Sequence, residues 1–134
     1  MDITHLEKLI SKLACEHNYT PLVASEATLE ASIKRYPTAW IQLPKVLYVE
    51  GRGEGQICHS ITVNFLDDYS AYSFDDKAKR LAKMEEDVIS IMTQLSCAEG
   101  VVEVNEMTVT PRLLPTTRHG DIAQTLVAKV VSYF

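Results

Sequence analysis

Four histidines (His5, His17, His59, His119) and three cysteines (Cys15, Cys58, Cys97) are the side chains of this 134-residue chain with most scope for metal binding or nucleophilic chemistry. Cys15 with His17 and Cys58 with His59 would make four zinc ligands by type. Their spacings fit no common zinc site, however, and successive residues on a strand point to opposite faces. An odd number of widely spaced cysteines without a C-x-x-C pair implies neither a zinc ribbon nor a disulfide framework. Reduced, mostly buried thiols are expected. Cys58 lies inside a strand pattern, where a thiol is inert packing. His59 shares its strand face with Ile61 and Val63, which predicts a core or interface histidine with its hydrogen bonds satisfied.

Gly51-x-Gly53-x-Gly55 has the glycine spacing of a phosphate loop, but such a loop must join a strand to a helix N-terminus. Both flanks here read as strands, so a hairpin tip is expected. The G-x-S-x-G, H-E-x-x-H and Walker motifs are all absent from the sequence. Carboxylates cluster at Asp67-Asp68, Asp75-Asp76 and Glu85-Glu86-Asp87, positions at loops and helix surfaces where solvation and capping account for them. These residues predict no enzyme, no metal and no cofactor.

Thirteen basic against eighteen acidic side chains give a formal charge of −5. That balance argues against a general nucleic-acid binder, which needs a basic face. No apolar run approaches the roughly 20 residues of a membrane helix. The opening MDITHLEKLI has an acid at its second position and an interrupted apolar pattern, unlike a secretory signal. A cytoplasmic protein of one domain, residues 1–134, is the expectation.

The elements that must position these residues follow from apolar periodicity. Ile3, Leu6, Leu9, Ile10 and Leu13 make one stripe of a helix over residues 2–17, with Thr4 and Glu7 as a capping box and Pro21 beyond its end. Residues 25–36 give a weaker helical pattern, with a strand as the rival. Extended segments follow at 38–49, where the Pro44 interruption suggests an edge strand or a bulge, and 56–66, where apolar and polar residues alternate. The clearest helix covers 74–95, with Ala78, Leu81, Met84, Val88, Ile91, Met92 and Leu95 on one face and Ser73 as cap. Asp75–Lys79, Asp76–Arg80 and Lys83–Asp87 are expected as ion pairs on its wet side. Two more strands, 101–113 and 121–134, close the chain, with a parity change that predicts a bulge near Asn105-Glu106.

The order helix, weak helix, two strands, long helix, two strands predicts an α+β fold. An antiparallel sheet of about four strands packs one face on the helices. Leu81, Val88, Ile91 and Leu95 are expected to form its core with Ile61, Val63, Phe65 and Leu126.

Pro37-Thr38-Ala39-Trp40-Ile41-Gln42-Leu43-Pro44 before a glycine-bearing hairpin, the long amphipathic helix, and a last strand introduced by His119-Gly120-Asp121-Ile122-Ala123 together resemble the tail terminator (tail-completion, head-tail joining) proteins of long-tailed phages and prophages. The likeness lies in element order over most of the chain. It implies a structural, non-enzymatic subunit that forms a ring, often hexameric, and binds the tail tube protein and the head-side connector. Exposed sheet edges fit that role, because closure into a ring removes them. Arg52 and Glu54 at the hairpin tip, and Arg112, Arg118 and His119 around the turn before the last strand, are the expected partner contacts, on loops that a partner orders. The alternative is a small dimeric α+β ligand-sensing or regulatory domain holding a metabolite between helix and sheet. An enzyme using His59 or His119 with a nearby carboxylate ranks third.

Overall fold

The computed structural model describes residues 1–51 and 55–133. Helix α1 spans Ile3–Glu16 and buries Leu6, Ile10, Leu13 and Ala14. Its cap is Asp2, whose carboxylate accepts the His5 N–H at 2.9 Å, rather than the expected Thr4. An acid one residue before the helix both satisfies a free N–H and complements the helix dipole. Strand β1, Thr20–Val23, follows directly.

Residues 25–36 fold as a single 3-10 turn, Glu26–Thr28, and one turn of helix α2, Leu29–Ser32, less helix than their periodicity suggested. The extended segment 38–49 divides into β2, Thr38–Ile41, and β3, Lys45–Glu50. Gln42 N–H still donates to the Thr62 carbonyl, and the ladder breaks at Leu43-Pro44, where proline brings no donor. Strand β4, Gln56–Asp68, carries β2 and β3 one after the other along the same edge. Helix α3 spans Phe74–Ser96, and the Ser73 hydroxyl accepts the Asp76 N–H as expected. Strands β5, Val101–Arg112, and β6, Asp121–Tyr133, complete the sheet.

The sheet has six strands where about four were expected, in the order β1-β2-β4-β6-β5 with β3 beside β4. The count rises because Pro44 splits one strand and because β1 joins the edge. All pairings are antiparallel except β1 with β2. The anticipated bulge lies where predicted: the β5–β6 register shifts between Asn105 and Thr108, and Glu106 adopts a φ of 50°.

Strand alternation sends Ala39, Ile41, Ile61, Val63, Phe65, Leu126 and Val130 to the face covered by α1 and α3. There they meet Leu6, Ile10, Leu81, Met84, Val88, Ile91 and Leu95, so the expected core pairing of α3 with β4 and β6 is present. The opposite face carries a smaller cluster, Leu29, Trp40, Leu66 and Ala123, under the 3-10 turn and α2. Among the described residues no helix is long and apolar enough to cross a membrane.

Candidate interaction surface

The histidines do not converge. His59 is fully buried on the helix-covered face, yet neither ring nitrogen has a hydrogen-bond partner, contrary to the satisfied ring expected from sequence. Its register neighbours are Val46 on β3 and Val130 on β6, which offer no acceptor from their side chains. Burial pushes its pKa below the ordinary value of 6.5, with the Met1 amine acting in the same direction and the Asp2 carboxylate against it. His119 sets its ring edge-on to Tyr36, centroids 6.0 Å apart. His17 faces Gln94, and His5 faces Asp2. All three cysteines are free, but only Cys58 is buried, whereas Cys15 and Cys97 are exposed. Cys15 follows the buried Ala14 on the outward side of α1, and Cys97 caps α3 two residues after the buried Leu95. Among the described residues no three His, Cys, Asp or Glu side chains come together as a metal site.

Several carboxylates expected as solvated charges are instead internal partners. Arg80 Nε donates to Asp67 Oδ2 at 2.7 Å, bridging α3 to the end of β4 in place of the expected Asp76 pair. The Tyr19 hydroxyl donates to Asp87 Oδ2 at 2.9 Å, and Lys83 holds the other oxygen at 3.0 Å, as the i,i+4 spacing predicted. Burial and the Asp87 carboxylate push the Tyr19 phenol upward.

The turn before β6 is built around Asp121, which is fully buried. Its Oδ1 accepts from the Thr116 and Thr117 N–H groups at 2.8 and 3.1 Å, and its Oδ2 from the hydroxyls of Thr117 and Tyr36 at 2.7 and 2.9 Å. Of the expected partner residues on this turn, Arg118 bonds Glu30 of α2 through both its N–H (3.0 Å) and Nε (2.7 Å). The Arg118 backbone donor, then its guanidinium, hold the Glu30 carboxyl below its ordinary range. Arg118 and His119 are thus engaged with α2 and Tyr36, while their side chains stay open to solvent. Arg112 is exposed at the end of β5. Arg52 and Glu54 lie outside the described residues.

Sequence reasoning missed the surface that stands out by burial. All six residues of β3 are exposed, and Val46, Leu47, Tyr48 and Val49 form an uncharged run with 41–52% exposure. This strand pairs with β4 on one side only, leaving the N–H and C=O groups of its other edge open. Beside it a cleft of about 430 Å³ opens between Val23, Ala24, Glu26, Trp40, Gln42 and Leu43. The Trp40 indole floors it, fixed by a 2.8 Å bond from Nε1 to the Ala24 carbonyl. Leu43 at the rim is itself exposed and precedes β3 by two residues. At the other side of the sheet, Leu113 and Leu114 project beyond the end of β5. Pro44 pointed to an edge strand or a bulge in 38–49, and both are found, but nothing in the periodicity marked Val46–Val49 as exposed. The chain matches no protein-family model and no curated protein sequence.

Proposed function

We propose that this chain is a structural virion-assembly subunit, similar to the tail terminators of long-tailed phages and prophages. It forms a ring in the host cytoplasm that caps the tail tube and joins it to the head-side connector. The observation that carries this reading is the open β3 edge with its four consecutive uncharged apolar residues. Monomeric proteins blunt such edges with charge, proline, a bulge or a covering element. Strand β3 has a bulge between Val46 and Tyr48 and charges only at its ends, Lys45 and Glu50, and its uncharged middle is left to pair with another chain. The element order and the α+β sheet agree with the resemblance, with α1 and α3 on one face and, unlike the expected one-sided packing, the short α2 on the other. The alternative, a dimeric domain holding a metabolite between helix and sheet, needs space that Leu6, Ile10, Val63, Phe65, Val88 and Ile91 fill without solvent access.

Electron microscopy of the concentrated chain, with co-sedimentation on tail tubes of the source phage or prophage, tests the reading. Closed rings that bind tube ends support it. A uniform two-fold dimer that ignores tubes would overturn it.

A further inference from the structure

We propose that the segment Arg112-Leu113-Leu114-Pro115 at the end of β5 seats in the Trp40 cleft of a second copy of this chain, with Arg112 set against Glu26. This rests on the self-assembly reading above and names the contact that would produce it.

Three observations converge on it. Leu114 has 84% of its surface in water, the largest exposure among the described large apolar side chains, and Leu113 beside it is also exposed. The cleft is a ready receptor, because the Trp40 indole is held by the Ala24 carbonyl and needs no rearrangement. The charges also match. Glu26 stands at the cleft and Arg112 begins the projecting segment, and among the described residues neither has an ion-pair partner. In a chain of net charge −5, acid facing acid is the commoner and repulsive encounter, so a cation on the segment and an anion at the cleft select one register.

The cleft lies on β1 and β2, the segment leaves β5, and β4 and β6 stand between them, about 14 Å across three strand spacings. The contact therefore uses different surfaces on its two copies. Repeated head to tail, one contact per copy closes a ring or grows a filament, whereas two copies exchanging segments reciprocally make a two-fold dimer.

Light scattering across concentration tests this with wild type, Leu114→Asp, Glu26→Arg, Arg112→Glu and an equal mixture of the last two. All three positions are exposed, and unchanged melting curves confirm folding. Wild type should assemble beyond a dimer, and each variant should need about tenfold more protein or greater to do so. The mixture should recover assembly, because each variant's cleft then meets an oppositely charged segment. If wild type and all three variants assemble alike, the contact is overturned and the assembly reading stands. A wild type that stays monomeric at every concentration, or a two-fold dimer indifferent to the variants, overturns both, whereas a two-fold dimer that the variants weaken and the mixture restores supports the contact and overturns the ring.

Discussion

The Tyr36 hydroxyl donates to the buried carboxylate of Asp121, 85 residues away, at 2.9 Å. This bond ties the stretch after α2 to the start of β6, and it completes a set in which Asp121 accepts from Thr116 N–H, Thr117 N–H and the Thr117 hydroxyl. These four donors take the place of the water that the buried carboxylate loses. Asp121→Ala strands all of them and should cost about 3–5 kcal/mol in denaturant unfolding. Tyr36→Phe removes one and should cost about 1.5–3 kcal/mol.

The same turn depends on Gly120. Its φ is +77°, and a Cβ there would lie 2.5 Å from the Ser70 Cβ. Gly120→Ala therefore meets both a left-handed backbone and a neighbour fixed on its own loop. A loss of at least about 1–2 kcal/mol is expected, read as a lower melting temperature.

Ile91 is fully buried between α3 and the sheet. Ile91→Ala should cost about 2–5 kcal/mol. Ile91→Asp buries an unpaired charge and should abolish cooperative melting. A soluble Ile91→Asp protein with a sharp transition would show that α3 buries another face.

His59 gives a pH dependence with a definite sign. Its folded pKa lies below the 6.5 of the unfolded chain, because a buried ring without partners resists charging. Above pH 6.5 both states are neutral and its stability contribution is intact. As pH falls below 6.5 the unfolded state takes up the proton first, so stability declines, at most about 1.4 kcal/mol per pH unit, until the folded pKa is reached. His59→Leu should flatten this decline between pH 7 and 5.5 in parallel denaturant titrations. Equal slopes in both proteins would contradict the assignment.

Long elements with many repeats of one period were legible in the sequence. Helix α3 repeats its apolar spacing from Leu81 to Leu95, and β4 alternates from Ile57 to Phe65, so local pattern and tertiary burial agree there. The bulge at Glu106 was legible because it changes the parity of an otherwise regular strand. Strand β1 was not, since four residues containing Pro21 read as a helix stop. It exists only because β2, eighteen positions later in register, supplies its partner, and Pro21 is tolerated at an edge. The pairing of Arg80 with Asp67, like that of Arg118 with Glu30, joins residues from separate elements, and no i,i+4 rule anticipates either. The interaction surface was hidden for a related reason. The apolar residues of β3 look like core by type, and only the sheet order shows that nothing within the described chain covers them.

That exposure makes a separable prediction for β3. Leu47→Lys and Val49→Lys place charge on an already exposed edge and should change folding stability by no more than about 0.5 kcal/mol. Self-association should fall sharply in both, since a charged edge strand resists pairing. Equal association of wild type and variants by sedimentation would place the interface away from β3.

The central claim is that the open edge of β3 is covered by another subunit, and amide hydrogen exchange over Lys45–Glu50 tests it most directly. Measured on dilute and on concentrated protein, the outward-facing amides of this strand should exchange freely in the first and become protected in the second, while α3 amides stay unchanged. Exchange over β3 that remains equally fast in both, in a sample whose mass shows assembly, would contradict the account.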